Sequence, residues 1–169
     1  MKRKDAGPWL VLTAALTALG AWKVPAQGRS AGEAAAQAEV RSAWDEYIRA
    51  FSAGRADLIA DGVYLAPSFN LAEAGIQVSM SPADTRARFK AAMEMLAAQS
   101  YLRTETKSAR ICLLNDTAAV LSGQFTRYRK DGSVLAEAAG TYVFAKLPQG
   151  WRIVASIPHS PERVLKCGV

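Results

Sequence analysis

Histidine is almost missing from this sequence, with His159 the only one among 169 residues. The two cysteines, Cys112 and Cys167, have no histidine partners around them, so the ligand sets of zinc sites are lacking. No glycine pattern of the phosphate-cradling kind occurs, and no set of nucleophile, base and orienting acid stands out. We therefore expect no metal and no cofactor. No apolar run reaches the roughly 20 residues that span a bilayer. The basic residues form short runs, Arg86, Arg88 and Lys90 on one segment and Arg127, Arg129 and Lys130 on another. Neither run is interleaved with stacking aromatics, so they read as solvated faces and nucleic acid is not an expected partner.

What the chain does have is apolar content, 50% of all residues, enough to fill one core without help from metal or disulfide. Its beginning is patterned like an export signal: Lys2, Arg3 and Lys4, an apolar run from Pro8 to Trp22, then Val24, Pro25 and Ala26 with small residues where a signal peptidase cuts. We expect cleavage after Ala26, a periplasmic or extracellular location, and no stable membrane insertion afterwards; a retained anchor is the alternative. No cysteine follows the run to carry a lipid. Lys2, Arg3, Lys4 and Lys23, offset only by Asp5, account for half of the formal charge of +6. Export permits a disulfide between Cys112 and Cys167, but the sequence does not say whether they come within reach.

The remainder divides into a small, polar leader over 27–38, one domain over 39–160 and a tail over 161–169. Val40, Trp44, Tyr47, Ile48 and Phe51 recur at helical spacing, and Gly54 follows as a left-handed cap. A short helical segment runs from Ala56 to Tyr64 and ends before Pro67. Alternation over Ser68 to Glu73 predicts a short strand with Phe69, Leu71 and Glu73 on one face. Ser81 and Pro82 open a helix to about Ala98 that turns Phe89, Met93 and Leu96 inward. Four strands follow, at 101–113, 117–129, 133–146 and 151–158, separated by turn residues of which Asp131 and Gly132 are the strongest hairpin signal.

Tyr47 to Leu58 shows an aromatic, small, glycine and acidic order, followed by Tyr64, Leu65, Ala66 and Pro67. Near the other end stand Thr141, Tyr142, Val143, Phe144 and then Gly150, Trp151, Arg152, Ile153. In that order these pieces resemble the nuclear transport factor 2-like superfamily, with its SnoaL-like and ketosteroid isomerase-like cones, over roughly Glu39 to His159. Arg55 departs from it, standing where the family often has an acid. The resemblance implies an α+β fold in which helices pack in the concave face of a bent, mostly antiparallel sheet, a cystatin-like cone barrel with an apolar hollow. It does not fix the chemistry, since the fold serves both enzymes and non-catalytic subunits.

Within that resemblance three residues are candidates for proton-transfer chemistry. Tyr47 matches a tyrosine that donates to a substrate oxyanion in the isomerases; the alternative is a core aromatic. Glu73, allowing one extra residue in the preceding loop, matches the strand position of their general base, and inward parity would raise its pKa by desolvation; the alternative is a carboxylate in a turn. His159 ends the last strand with the parity of Trp151, Ile153, Ala155 and Ile157, at a cavity mouth or at the surface. The isomerases' second acid is missing from Ala138 to Val143. The expected function is binding of a hydrophobic small molecule, with isomerase- or lyase-like proton transfer as its catalytic form. The other expectation is a non-catalytic module that forms a homodimer through the sheet face, motivated by apolar residues on both parities of strand 117–129.

Overall fold

The computed structural model describes residues 31–167, so the expected signal segment over 1–26 and residues 27–30 lie outside the described residues. A long helix, α1 (Ala31–Ser52), is followed by the short α2 (Ala56–Leu58), which continues as a wider helical turn over Ile59–Val63. Two strands, β1 (Tyr64–Ala72) and β2 (Gly75–Ser79), precede α3 (Pro82–Ala97). The meander β3 (Tyr101–Asn115), β4 (Ala118–Arg129), β5 (Val134–Leu147) and β6 (Gly150–His159) completes a six-stranded sheet of order β2-β1-β6-β5-β4-β3. Only the β1–β6 pairing is parallel. The sheet is curved, and α1 lies along its inner face, mainly against β3.

Helix α1 begins at Ala31, inside the stretch expected to be a flexible leader. The reason is local: Ala34, Ala35 and Ala36 are the strongest helix formers, and the first turns are tied to the body. Gln37 Nε2 donates to the Ile111 carbonyl at 3.4 Å and Arg41 to that of Ala109 at 3.1 Å. Glu39 accepts from Lys146 Nζ at 2.8 Å and from Trp151 Nε1 at 3.0 Å. Farther along, Trp44 Nε1 donates to Thr106 Oγ1 at 2.9 Å, and Ser52 Oγ accepts from the Thr104 amide at 3.0 Å. The Glu39 pair reaches β5 and β6, and the other bonds fix the helix on β3, the one at Thr106 beside a register shift in that strand's ladder. Gly54 closes the helix with φ +70°.

The apolar face of α1 supplies the core: Val40 and Trp44 are fully buried, with Tyr47 and Phe51 nearly so, against Leu121, Phe125, Tyr142, Phe144, Trp151 and Ile153. Trp44 packs with its ring centroid 4.7 Å from that of Tyr142. Helix α3 starts as the sequence indicates, with a reciprocal cap in which Ser81 Oγ accepts from the Asp84 amide and Asp84 accepts from the Ser81 amide. Phe89 and Leu96 are buried and Met93 is partly so.

The β1–β2 hairpin departs from expectation in two respects. Pro67 does not stand between elements but lies inside β1, which starts at Tyr64. The β1–β6 ladder is interrupted between Tyr64 and Phe69, so no amide is needed at that position. The same interruption sets the parity: Ser68 is buried and Asn70 half-buried, whereas Phe69 and Leu71 point outward. The second correction is β2, which the alternation pattern missed because all of it but Ser79 is exposed.

Candidate functional site

Between α1, α3 and the inner face of the sheet lies a hollow of about 390 Å³. Its walls are apolar and aromatic, with Phe51, Phe89, Met95 and Leu96 on one side and the rings of Tyr47, Tyr64 and Tyr142 forming the floor. Polar groups enter from β1, β2 and β6 as Asn70, Gln77 and Ser156. Ser156 Oγ donates to Asn70 Oδ1 at 3.0 Å, and Asn70 Nδ2 donates to Gln77 Oε1 at 3.2 Å, a short relay along the inner face. Among the described residues no aspartate or glutamate lines this hollow.

Tyr47 stands where the sequence placed it, on the inward face of α1, 7% exposed and in edge contact with the rings of Tyr64 and Phe89. Burial pushes its hydroxyl well above the ordinary tyrosine range, with Tyr64 and Tyr142 adding to the shift and the Arg127 charge opposing it. Burial likewise raises Tyr142 and Tyr64, against the opposing charges of Arg127 and Arg88 respectively. All three hydroxyls are therefore protonated at neutral pH. Tyr142 reaches the floor because Gly140 precedes it by one inward step: a Cβ there would come within 3.1 Å of the Tyr142 ring. The stretch that lacks the isomerases' second acid thus holds a glycine whose emptiness makes room for a phenol.

Glu73 is not in the hollow. It occupies the two-residue turn between β1 and β2, exposed, because the ladder ends at the Ala72–Gly75 pair. Phe69 and Leu71, expected to share its face, point outward, so parity does not carry it inward. His159 also lies elsewhere. A register shift between Val143 and Phe144 in the β5–β6 ladder moves Ser156 and Pro158 onto the inner face and turns His159 onto the outer one. There Nε2 meets Thr141 Oγ1 at 2.9 Å, and Nδ1–H donates to the Ser160 carbonyl at 2.8 Å.

The residues that sequence reasoning passed over are Arg88 on α3 and Arg127 on β4, both assigned to solvated charge runs. Their neighbours do behave as surface charges: Arg86 pairs with Asp61 at 2.8 Å, and Arg129 donates to the Val134 carbonyl at 2.8 Å. Arg88 and Arg127 instead line the hollow. All three guanidinium nitrogens of Arg88, and Nε of Arg127, are shut off from solvent without a hydrogen-bond partner. Each leans on rings: Arg88 sits 4.9 Å from the Phe89 centroid and 5.2 Å from that of Tyr64, and Arg127 sits 5.8 Å from that of Phe125. A signal was present, since Arg127 shares parity with inward Leu121 and Phe125, and Arg88 shares a helical face with Thr85 and Ala92.

Across the outer face runs the C-terminal segment. A single turn at Pro161–Arg163 leads into an extended stretch that ends in a disulfide between Cys167 and Cys112 of β3, with Cα atoms 5.5 Å apart. The Leu165 amide donates to Ser122 Oγ at 3.1 Å, and Gln124 Nε2 donates to the Pro161 carbonyl at 2.9 Å. Among the described residues no cluster of three or more histidine, cysteine or acidic side chains suits a metal, and no helix is long and apolar enough to cross a membrane.

Comparison with known proteins gives a family match and a set of related folds. A family model described as NTF2-like protein (DUF6841) matches residues 38–161. Among solved structures, an NTF2-like protein with a cystatin-like fold from Novosphingobium aromaticivorans superposes with a TM-score of 0.64 at 15% identity, covering 77% of this chain and 84% of that one. A Mycobacterium tuberculosis protein of unknown function gives 0.63 at 12% identity, covering 79% and 76%. An NTF2-like superfamily protein from Salmonella enterica serovar Typhimurium gives 0.58 at 19% identity, covering 80% and 96%. At such identities the fold is what is shared. No curated protein matches the chain.

Proposed function

The chain belongs to the NTF2-like family of that description, and from this premise we propose that it is an exported protein that takes a small, largely apolar molecule into its cone. The observation that carries this reading is the hollow of about 390 Å³, walled by aromatic and aliphatic side chains and furnished with a few convergent polar groups, the usual composition of a ligand site. Tyr47 is its hydrogen-bond donor to a ligand oxygen, since burial keeps that hydroxyl protonated. Proton transfer by a cavity carboxylate has no support, because Glu73 is in a turn and none of the described residues lining the walls is an acid. The disulfide supports an oxidising compartment, and mass spectrometry of the exported product should find Gln27 at its N-terminus.

The test is calorimetric titration with a neutral aromatic alcohol, 2-naphthylmethanol. The reading expects saturable binding, abolished by Ala92→Trp, which fills the hollow. Binding that survives Ala92→Trp, or no binding up to the solubility limit by this alcohol or by its acid and amide counterparts, contradicts it.

One observation favours a second reading, association of two copies through the sheet. On the outer face of the β1–β2 hairpin, Phe69 opposes Val78 and Leu71 opposes Ile76, all four exposed. Sedimentation should then show a dimer that Val78→Glu dissociates, and a monomer at high concentration removes this reading.

A further inference from the structure

Guanidinium groups withdrawn from water are ordinarily paired, because each carries five N–H donors and a fixed positive charge. The whole guanidinium of Arg88 and the Nε of Arg127 withdrawn beside one hollow, with no acid among its described lining residues, is therefore an unusual arrangement. Arg88 and Arg127 reach the hollow from different elements, α3 and β4, and neither makes a hydrogen bond or ion pair among the described residues. The nearest acid on the Arg88 helix, Asp84, is already committed to the Met80 and Ser81 amides at 3.0 Å each.

The ring contacts do not remove the need for a partner. Phe89 and Tyr64 lie against Arg88, and Phe51 and Phe125 against Arg127, stabilising the charge through its flat faces. The donors radiate in the guanidinium plane, where no described residue accepts those of Arg88 or the Nε–H of Arg127. The hydroxyls of Tyr47, Tyr64 and Tyr142, kept protonated by burial, line the same hollow and bond to one another and to Ser156, so they bring no negative charge. The site thus collects positive charge beside a largely apolar space, and among the described residues it lacks an acceptor bearing negative charge.

We infer that the hollow takes an amphipathic organic acid, its carboxylate held by Arg88 and Arg127 and its apolar body against Phe51, Phe89 and Leu96. This rests on the ligand-binding reading above and names the ligand class. A carboxylate matches the fork of a guanidinium with two parallel acceptors. The amides of a helix N-terminus, which often serve phosphate, are not on offer, since that of α3 is closed by its own Ser81 and Asp84.

The experiment compares four probes of one body, 2-naphthylacetate, 2-naphthylacetamide, 2-naphthylmethyl phosphate and 2-naphthylmethanol, titrated into the protein with its disulfide intact. We expect the carboxylate to bind at least about tenfold tighter than the amide. Arg88→Met and Arg127→Met should each erase that preference, bringing the carboxylate's affinity down to that of the amide. Arg88→Gln and a melting curve for each variant separate loss of charge from loss of fold. Equal affinity for acid and amide, with both blocked by Ala92→Trp, overturns the inference and leaves the ligand-binding reading standing. A carboxylate preference that survives both arginine substitutions overturns the assignment, as does tighter binding of the phosphate ester. Failure of all four probes sinks the pocket reading and this inference together.

Discussion

The two faces of one sheet treat their polar groups in opposite ways. On the outer face, the Leu165 amide donates to Ser122 Oγ, Ser122 meets Thr141 at 2.9 Å, Thr141 meets His159 Nε2 at 2.9 Å, and His159 Nδ1–H donates to the Ser160 carbonyl. For a neutral imidazole the sequence of donors is consistent from end to end, because Nδ1 carries the proton and Nε2 accepts. On the inner side, Arg88 of α3 and Nε of Arg127 on β4 hold donors that no described residue accepts. A polar group that is buried and satisfied by the chain serves the fold, whereas one buried and left open costs stability unless something else completes it. The contrast therefore separates scaffold from site.

The greatest loss is expected where both faces depend on the same aromatic packing. Trp44→Ala removes a fully buried ring and its bond to Thr106, and we expect a loss of about 3–5 kcal/mol in urea unfolding. Replacing Cys112 and Cys167 together by serine frees the outer segment, with an expected loss of about 2–4 kcal/mol. Hydrogen exchange at the Leu165 amide should accelerate in that variant, while binding of 2-naphthylmethanol in the hollow is unchanged. Ser122→Ala leaves the Leu165 amide and the Thr141 hydroxyl each short of a partner, for about 1–2 kcal/mol. The smallest effect at neutral pH comes from the three floor tyrosines. Their pKa values are raised in the folded state above the ordinary tyrosine value of 10.0, so the unfolded chain loses these protons first as pH rises. Their contribution is intact below about pH 10 and is lost above it. Tyrosinate absorbance from Tyr47, Tyr64 and Tyr142 should therefore appear only in step with alkaline unfolding.

How much of this was legible in the sequence depended on how far each feature is set by local pattern. The amphipathic stripe of α1, the Ser81–Pro82 start of α3 and the four-strand meander are local and were read correctly, and with them the superfamily resemblance and the inward position of Tyr47. Helix α1 proved longer because its alanine-rich first turns are held by contacts to β3, β5 and β6, distant in sequence. Glu73 was placed by the parity of Phe69 and Leu71, which face outward, and it lies past the end of β1, whereas the count that placed His159 crossed an interruption in the β5–β6 ladder. One such slip exchanges the faces. Arg88 and Arg127 were hidden by charged neighbours that do face solvent, so composition outweighed the parity of Arg127 with Leu121 and Phe125. The Cys112–Cys167 pairing joins a strand to a tail 55 residues away, a distance no local pattern reports.

The most direct test sets two double variants side by side in urea unfolding without ligand, Arg88→Met with Arg127→Met against Ser122→Ala with Thr141→Val. If the inner arginines are held open for a ligand, their removal leaves stability unchanged or raises it by up to about 1 kcal/mol, while the outer pair costs about 2 kcal/mol. An inner pair that destabilises as much as the outer one would show that both arginines serve the fold, and the distinction between the faces would be lost.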